Sequence, residues 1–209
     1  MNMVWPWSIQ AFVISDIKQA TNAIQLPHWV ADCISDCVQL HANFSSAEAR
    51  MNFVIHLAKQ NIKHQTGGPF AAAVFDMDTH KLIAVGVNMV VSSNCSNNHA
   101  EMVAITLAQQ SLQSYTLNSE GIPRCELISS CEPCAMCFGA IPWSGIQQLV
   151  TGATAADAES IGFDEGPRHP NWVDELNKRD IKVLTEVQRQ QAANVLFDYQ
   201  KSNGNIYNA

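Results

Sequence analysis

The pattern of apolar and polar residues predicts alternating helices and strands from residue 45 onward. Ser45 and Glu48 have the spacing of a helix start, and apolar residues three and four apart predict a helix that continues to about Lys63. Two short apolar runs, Phe70–Phe75 and Lys81–Val91, are separated by a polar turn and predict a β-hairpin.

The second half of the chain continues the alternation. A polar loop leads into a helix that carries His99 and Glu101, and a polar tail ends the chain. The other predicted strands are Cys125–Ser129, Gln148–Thr151 and a possible fifth at Asp180–Leu184, and the other predicted helices are Cys134–Pro142 and Glu186–Lys201. Strands that alternate with helices indicate an α/β protein with a layered sheet.

The first 45 residues lack this alternation. We therefore predict an N-terminal extension over 1–45, followed by one domain over 46–209 that holds the predicted sheet. The stretch Met1–Ile14 is apolar and uncharged but lacks the basic start and cleavage site of a signal peptide. No apolar run is long enough to span a membrane, so we expect a cytoplasmic protein without a membrane partner.

The charge balance narrows the classes of partner. Twelve Lys and Arg stand against nineteen Asp and Glu, and the formal net charge is −7. Without a basic run, long-range attraction to phosphate is weak, which argues against nucleic acid as a partner. The seven cysteines are an odd number in a chain of ordinary domain length, which favours reduced thiols and a bound metal over a disulfide framework.

Two short motifs carry the candidate chemistry. The first is His99-Ala100-Glu101, and the second is Glu132-Pro133-Cys134-Ala135-Met136-Cys137. One imidazole and two thiolates fill three corners of a zinc tetrahedron and leave the fourth for water, which is typical of a catalytic site. Glu101 follows the imidazole by two residues, so it can reach that water and carry its proton.

Each residue also has a structural interpretation. His99 alone could be a capping or core histidine, and Cys134 with Cys137 could be buried thiols or a structural zinc pair. Their joint spacing with Glu101 favours a catalytic metal site. Cys131 extends the run to three cysteines and could indicate an iron–sulfur cluster or a fourth zinc ligand. We interpret it as a thiol that does not bind the metal, since it lies in the strand-to-helix turn.

The motifs resemble those of the cytidine deaminase-like superfamily of zinc hydrolases, and within it the guanine deaminase branch. The resemblance begins near Arg50 and continues to the C-terminus. Besides the metal motifs, three segments carry it: Gly67–Val74, which resembles the opening strand, Ile161–Pro167, which resembles the segment that covers the substrate, and the tail Asn205–Ala209, which resembles a branch linked to ammeline.

The resemblance implies a three-layer αβα sandwich with a five-stranded mixed sheet, a homodimer, and one Zn²⁺ per subunit. It implies that guanine, and also ammeline, is deaminated as a free nucleobase. The residues that it assigns are His99, Cys134 and Cys137 for the metal, Glu101 and Glu165 for proton transfer, and Asn88, Phe70, Ala100, Trp143, Phe163 and Tyr207 for the base.

Several of these assignments have alternatives. Phe70 and Trp143 could be plain core residues, Asn88 could end a strand, Glu165 could be a solvated loop acid, and Tyr207 could belong to a frayed terminus. For the activity, the alternatives are a guanosine or cytosine deaminase, or a tRNA adenosine deaminase with a similar metal motif. A carboxylate at Glu165 favours guanine, because guanine presents ring N–H donors that cytosine lacks.

Overall fold

The computed structural model describes residues 24–39 and 44–208, which form eight helices and five strands. The helices are α1 (His28–Gln39), α2 (Ala47–Lys63), α3 (Val90–Ser93), α4 (Ala100–Ser111), α5 (Ala135–Ser144), α6 (Ala155–Ser160), α7 (Trp172–Asn177) and α8 (Arg189–Lys201). The strands are β1 (Ala71–Asp76), β2 (Leu82–Val87), β3 (Cys125–Cys131), β4 (Gln148–Ala153) and β5 (Lys182–Leu184).

The five strands form one mixed sheet in the order β2-β1-β3-β4-β5. The hairpin pair β1–β2 and the pair β1–β3 are antiparallel, while β3–β4 and β4–β5 are parallel. The parallel pairs are joined by connections that contain helices, as the geometry of parallel strands requires. The predicted α/β fold with a five-stranded mixed sheet is confirmed.

Helices cover both faces of the sheet, and each face has its own apolar cluster. Met51 of α2 and Leu196 of α8 belong to the cluster on one face. Ile141 of α5 and Leu176 of α7 belong to the cluster on the other. All four side chains are almost completely buried, and each contributes about 2 kcal/mol by leaving water. The second cluster supports the helices whose starts form the candidate site.

A close contact between α4 and the hairpin fixes where α4 begins. Gly86 of β2 lies directly under the first turns of α4, and a methyl group there would overlap the main-chain atoms of Ala100 and Ala104. The absence of a side chain at Gly86 thus lets the helix lie on the sheet. Because His99 immediately precedes this helix, the same contact determines its position.

Most predicted boundaries differ from the structure by one to four residues, and three of them are described below. The N-cap of α2 is Ser46, not Ser45, since the Ser46 hydroxyl accepts from the Ala49 N–H at 3.2 Å. Strand β2 ends at Val87 instead of continuing to residue 91, and residues 90–93 form a helical turn. The last helix begins at 189, because the preceding Gln188 has a left-handed backbone with φ of 55°.

Helix α1 lies inside the predicted extension and packs on the domain. Trp29 is buried against the α2 side of the core, its indole N–H donates to the Thr66 hydroxyl at 3.0 Å, and its ring stacks on His64. The apolar stretch Met1–Ile14 and the rest of 1–23 lie outside the described residues. Among the described helices, none is both long enough and apolar enough to cross a membrane.

Candidate active site

Two helix starts bring the three predicted metal ligands together. His99 is the N-cap of α4 and Cys134 is the N-cap of α5, and neither side chain caps its own helix. Cys137 lies one turn into α5, so both thiols of the Cys-x-x-Cys motif face the same point. The ligand atoms of these three residues lie within 4.8 Å of one another, and within 24–39 and 44–208 no other group of His, Cys, Asp and Glu has this arrangement.

The distances suit a tetrahedral zinc ion. The Cys134 Sγ lies 3.5 Å from the His99 Nδ1, and the Cys137 Sγ lies 3.7 Å from the same nitrogen. With zinc about 2.3 Å from sulfur and about 2.1 Å from nitrogen, tetrahedral ligand atoms lie about 3.6 Å apart. One nitrogen and two sulfurs are also a donor set that zinc prefers, so the residues fit the metal.

The environment of the thiols favours a cation. Hydrogen bonding to Cys137 and His99 lowers the pKa of the Cys134 thiol to about 4, against the opposing effect of burial. The contact with Cys134, together with burial, raises the pKa of Cys137. A bound dication stabilises both thiols as thiolates.

Glu101 lies beside the triad in the first turn of α4. It is 6 % exposed, and burial raises the pKa of its carboxyl group, as does the charge of Cys134. A buried carboxyl group whose proton affinity is raised in this way can accept a proton and release it again near neutral pH. The position and the environment of Glu101 are those of a general acid and base next to a metal.

A cavity of about 390 Å³ opens in front of the triad, which lies in the size range of small-molecule sites. Eight of the eleven predicted site residues line it. The lining residues are Phe70, Asn88, Val90, Ser96, His99, Glu101, Cys131, Glu132, Cys134, Met136, Phe163, Asp164, Glu165, Tyr207 and Asn208.

Asn88 lies at the end of β2 and is 1 % exposed. Its side-chain oxygen accepts from the N–H groups of Gly68 and Val90, each at 3.4 Å, which leaves the amide N–H₂ group for the cavity. Asn61 of α2 holds the turn from behind, since its amide donates to the carbonyl oxygens of Asn88 and Gly68 at 2.9 and 2.8 Å. Asn88 is therefore a preorganised donor at the cavity wall.

Glu165 lines the cavity from the segment that follows Phe163. It is 7 % exposed, and burial, followed by the charges of Cys134 and Glu101, raises the pKa of its carboxyl group to about 8. Its main-chain carbonyl accepts from the Ala135 N–H at 2.9 Å, so the segment lies against the first turn of α5. Two buried carboxyl groups, Glu101 and Glu165, thus share one cavity with the metal ligands.

Aromatic rings form the remaining wall. Phe163 contacts Phe70 edge to face with ring centres 5.0 Å apart, and it contacts Tyr207 in the same way at 5.2 Å. Gly68 makes room for the tail, because a methyl group there would overlap the Tyr207 ring. The buried Tyr207 hydroxyl has no hydrogen-bond partner, so this polar atom is available to a bound molecule.

The family model for the cytidine and deoxycytidylate deaminase zinc-binding region matches residues 44–153, which is more than half of the chain and includes both motifs. The chain belongs to this deaminase family. The predicted zinc cofactor is supported by the match and by the triad.

Relatives with known activities are similar over much of the deaminase. Guanine deaminase from Bacillus subtilis is 36 % identical over 118 residues, which are 56 % of this chain and 71 % of the relative. The solved guanine deaminase from Nitrosomonas europaea is 43 % identical with a TM-score of 0.79, over 87 % of this chain and 97 % of that one. A mutant of NE0047 in complex with 8-azaguanine is 43 % identical with a TM-score of 0.80, over 88 % and 99 %.

Two residues assigned to the base lie away from the cavity of the deaminase. Trp143 is 88 % exposed on the outer face of α5, because it is more than two turns, about 13 Å, beyond Cys134 along the helix. Its assignment to the base pocket is thus wrong for this subunit. Ala100 is the first residue of α4 and fully buried under Gly86, so only its main chain faces the site's side of the helix.

Cys131 is not part of the triad. Cys131 is 3 % exposed and lines the cavity, but its thiol donates to the Thr154 carbonyl at 3.5 Å. Burial raises the pKa of this thiol well above its usual value. This geometry agrees with the interpretation of Cys131 as a thiol that does not bind the metal.

The sequence analysis missed several residues of the site. Asn61 has no local signal, since it is one polar position within α2, and its partners are 7 and 27 residues away. Asn208 lies in the tail Asn205–Ala209, but its role depends on long-range contacts. Its side chain accepts from the Asp164 N–H at 3.0 Å and donates to the Gly162 carbonyl at 2.9 Å. These bonds tie the tail to the covering segment, which we define as residues 163–168.

Proposed function

We propose that this chain is a zinc-dependent guanine deaminase that converts guanine and water to xanthine and ammonia. The observation that carries the proposal is the pair of buried carboxyl groups, Glu101 and Glu165, which face one cavity beside a metal triad. The guanine deaminases from Bacillus subtilis and Nitrosomonas europaea support the same substrate.

We assign the metal to His99, Cys134 and Cys137. When bound, zinc supplies a nucleophile from water at neutral pH. Glu101 takes the first proton that this water loses and gives it to the ring nitrogen next to the reacting carbon. It then takes the remaining proton of the new C2 hydroxyl group and transfers it to the departing amine. The oxygen of water thereby replaces the amino group at C2, and the C–N bond breaks with release of ammonia.

The other residues of the cavity would select and hold the base. Glu165 accepts hydrogen bonds from the N–H edge of guanine and shares in proton transfer, while the Asn88 amide donates to a ring acceptor. Phe70, Phe163 and Tyr207 enclose the flat ring. A base without N–H donors would leave the buried Glu165 carboxylate unpaired, which is costly, so it would be rejected.

The alternative activities fit these features less well. A tRNA adenosine deaminase needs an electropositive approach to the cavity, but the chain has a net charge of −7. The covering segment and the tail also lie over the cavity, which leaves little room for the ribose of guanosine. The ring nitrogen next to the amino group of cytosine carries no hydrogen, so cytosine offers Glu165 no N–H beside its amine. Ammeline presents similar donors, so we retain it as a second substrate.

We propose a homodimer in which α5 faces a second copy. The helix has no charged residue, and its outward positions Met136, Gly139, Ala140 and Trp143 follow the helical repeat. The exposed Trp143 lies beside a groove of about 410 Å³ that includes Phe138 and Leu176. A projecting ring next to a groove is self-complementary, as a two-fold interface requires. Light scattering of Trp143→Lys should then show a monomer, and an unchanged mass would exclude this interface.

The chemistry of the metal ligands also indicates the cellular compartment in which the protein acts. Cys134 and Cys137 must remain reduced to bind zinc, so we propose that the protein acts in a reducing compartment, the cytoplasm.

The direct test of the activity is product analysis with the zinc-loaded protein. Guanine should disappear as equal amounts of xanthine and ammonia form, and tRNA should show no gel shift at moderate salt. Zinc binding without turnover of guanine or ammeline would contradict the proposal, as would deamination of tRNA.

A further inference from the structure

An ion pair between two residues that have no assigned role in the reaction joins the covering segment to the loop before Cys134. The Arg168 Nη2 lies 3.0 Å from the Glu132 Oε2, and the two side chains are only 15 % and 14 % exposed. The same carboxylate oxygen accepts from the Ala155 N–H at 3.0 Å. The Arg168 guanidinium also lies over the Trp172 ring, 5.4 Å from its centre. This pair is better shielded from solvent than a typical surface salt bridge, so its attraction is screened less by water and salt.

The pair connects the loop before a metal ligand with the covering segment. Glu132 is two residues before Cys134, and its main-chain N–H donates to the Ala153 carbonyl at 2.9 Å, which fixes it at the end of β3. Arg168 is three residues after Glu165. A charge pair therefore spans from the loop that carries a metal ligand to the segment that carries the second carboxylate.

The covering segment has little else to hold its shape. Gly166 has a left-handed backbone with φ of 68°, and its N–H donates to the Asp164 carboxylate at 2.8 Å while its carbonyl accepts from the Arg168 N–H at 2.8 Å. These bonds close a tight turn but do not attach it to the domain. On the α5 side, the attachments are the bond from Ala135 to the Glu165 carbonyl and the Arg168–Glu132 pair.

We propose that Arg168 is a positioning residue that, through Glu132, holds the Glu165 carboxylate over the base. The inference rests on the proposed guanine deamination, since it gives Glu165 the role of base acceptor. Arg168 also pairs the Glu132 carboxylate, which lines the cavity, so that Glu132 does not compete for the base N–H groups. Arg168 itself does not line the cavity, so its effect on the substrate is indirect.

The test is a double-mutant cycle on the zinc-loaded full chain. Arg168→Gln should lower kcat/KM for guanine by about ten- to a hundredfold, because a displacement of about 1 Å at a reacting group has effects of that size. In the Glu165→Gln background the same change should cost no more than about twofold, since the group that it positions is already lost. Arg168→Lys keeps the charge and should recover part of the loss.

A binding measurement separates this inference from the proposed function. Calorimetry with 8-azaguanine should show weaker binding to Arg168→Gln than to wild type, and no such difference in the Glu165→Gln background. Arg124→Gln breaks the exposed Arg124–Asp78 pair, with both side chains 62 % exposed, and should leave turnover and binding unchanged. Zinc content and circular dichroism establish that each variant is folded.

Either of two results would overturn the inference. One is an Arg168→Gln enzyme that keeps wild-type kcat/KM for guanine. The other is an equal loss in both backgrounds, which would make Arg168 a general structural residue. If Arg168→Gln does not fold, Arg168→Lys is the deciding variant, because it keeps the charge but loses the planar pairing with Glu132. A wild-type kcat/KM in Arg168→Lys would then overturn the inference. Failure of the wild-type enzyme to deaminate guanine would instead count against the proposed function.

Discussion

The two sides of the cavity are built in different ways. On the metal side, His99 and Cys134 begin two helices, and Cys137 follows one turn later, so spacing along the chain places the ligands. On the covering side, 163–168 is attached by one main-chain bond from Ala135 and by side-chain bonds between residues 36 and 44 positions apart. The metal side is made for a reaction shared by the family, and we infer that the covering side determines which base reacts.

The largest difference between the sides should appear in metal content. Cys134→Ser removes a thiolate ligand, so we expect the protein to lose bound zinc and all measurable deamination. Cys131→Ser should keep one equivalent of zinc and most of the activity, because its thiol binds the Thr154 carbonyl instead. Metal analysis after desalting, with ammonia release, gives both values. Zinc loss in Cys131→Ser would show that the triad is incomplete.

Next in size is the removal of the proton carrier on the metal side. Glu101→Gln keeps the shape of the side chain but cannot take a proton, and we expect kcat to fall by about 10²- to 10⁴-fold. Zinc content should stay at the wild-type value, since Glu101 is not assigned as a ligand. Steady-state assays with guanine measure the loss. A variant that retains more than a tenth of the wild-type kcat would assign proton transfer to another group.

A smaller effect is expected on the covering side. Glu165→Gln replaces an acceptor by a group that also donates, and a buried polar group left unpaired costs about 1–3 kcal/mol, or about ten- to a hundredfold in kcat/KM. Discrimination between guanine and cytosine should fall with it. Equal losses for both bases would mean that Glu165 does not select the substrate.

The smallest effect should come from the helix that leads into the covering segment. Asp157 completes the capping box of α6 with Thr154, and its hydrogen bonds with Arg189 lower the pKa of its carboxyl group. Such a group stabilises the fold above its unfolded pKa of about 3.9 and loses this effect as the pH falls through the folded value. Asp157→Asn should therefore lower the free energy of unfolding by about 1 kcal/mol at pH 7.

Denaturant titrations at pH 7 and at pH 3 measure this contribution. The difference between Asp157→Asn and wild type should shrink at the lower pH, because the unfolded state then binds a proton that the folded wild type binds less readily. A difference that is the same at both pH values would show that the charge of Asp157 does not stabilise the helix. Turnover of guanine at pH 7 should be nearly unchanged, because neither Thr154 nor Asp157 lines the cavity.

The contrast between the two sides also explains what the sequence could predict. The metal motifs, the hairpin and the alternation of strands and helices are local patterns, and the structure has them with boundary shifts of a few residues. Helices α6 and α7 are six residues each, too short for a helical repeat to be recognised. Helix α1 was not predicted either, since Pro27 and the uncharged stretch before it obscured its start.

Residues that act through distant partners could not be predicted. Arg168 has no local feature that indicates Glu132, and Asn61 has none that indicates Asn88. The assignment of Trp143 to the base pocket does not match the cavity for a different reason. A position taken from a family does not establish where this helix directs the side chain. Its 88 % exposure is a consequence of packing on the sheet and of the helical repeat. The local chemistry was therefore predicted better than its positioning.

The central claim is that a zinc hydrolase site and a selective covering side act together on guanine. The measurement that tests it most directly is the initial rate of ammonia release by the zinc-loaded wild-type protein from guanine, ammeline, guanosine, adenine and cytosine at equal concentration. The account predicts rapid release from guanine, with ammeline second and little release from the others. Faster release from guanosine or cytosine than from guanine would contradict it.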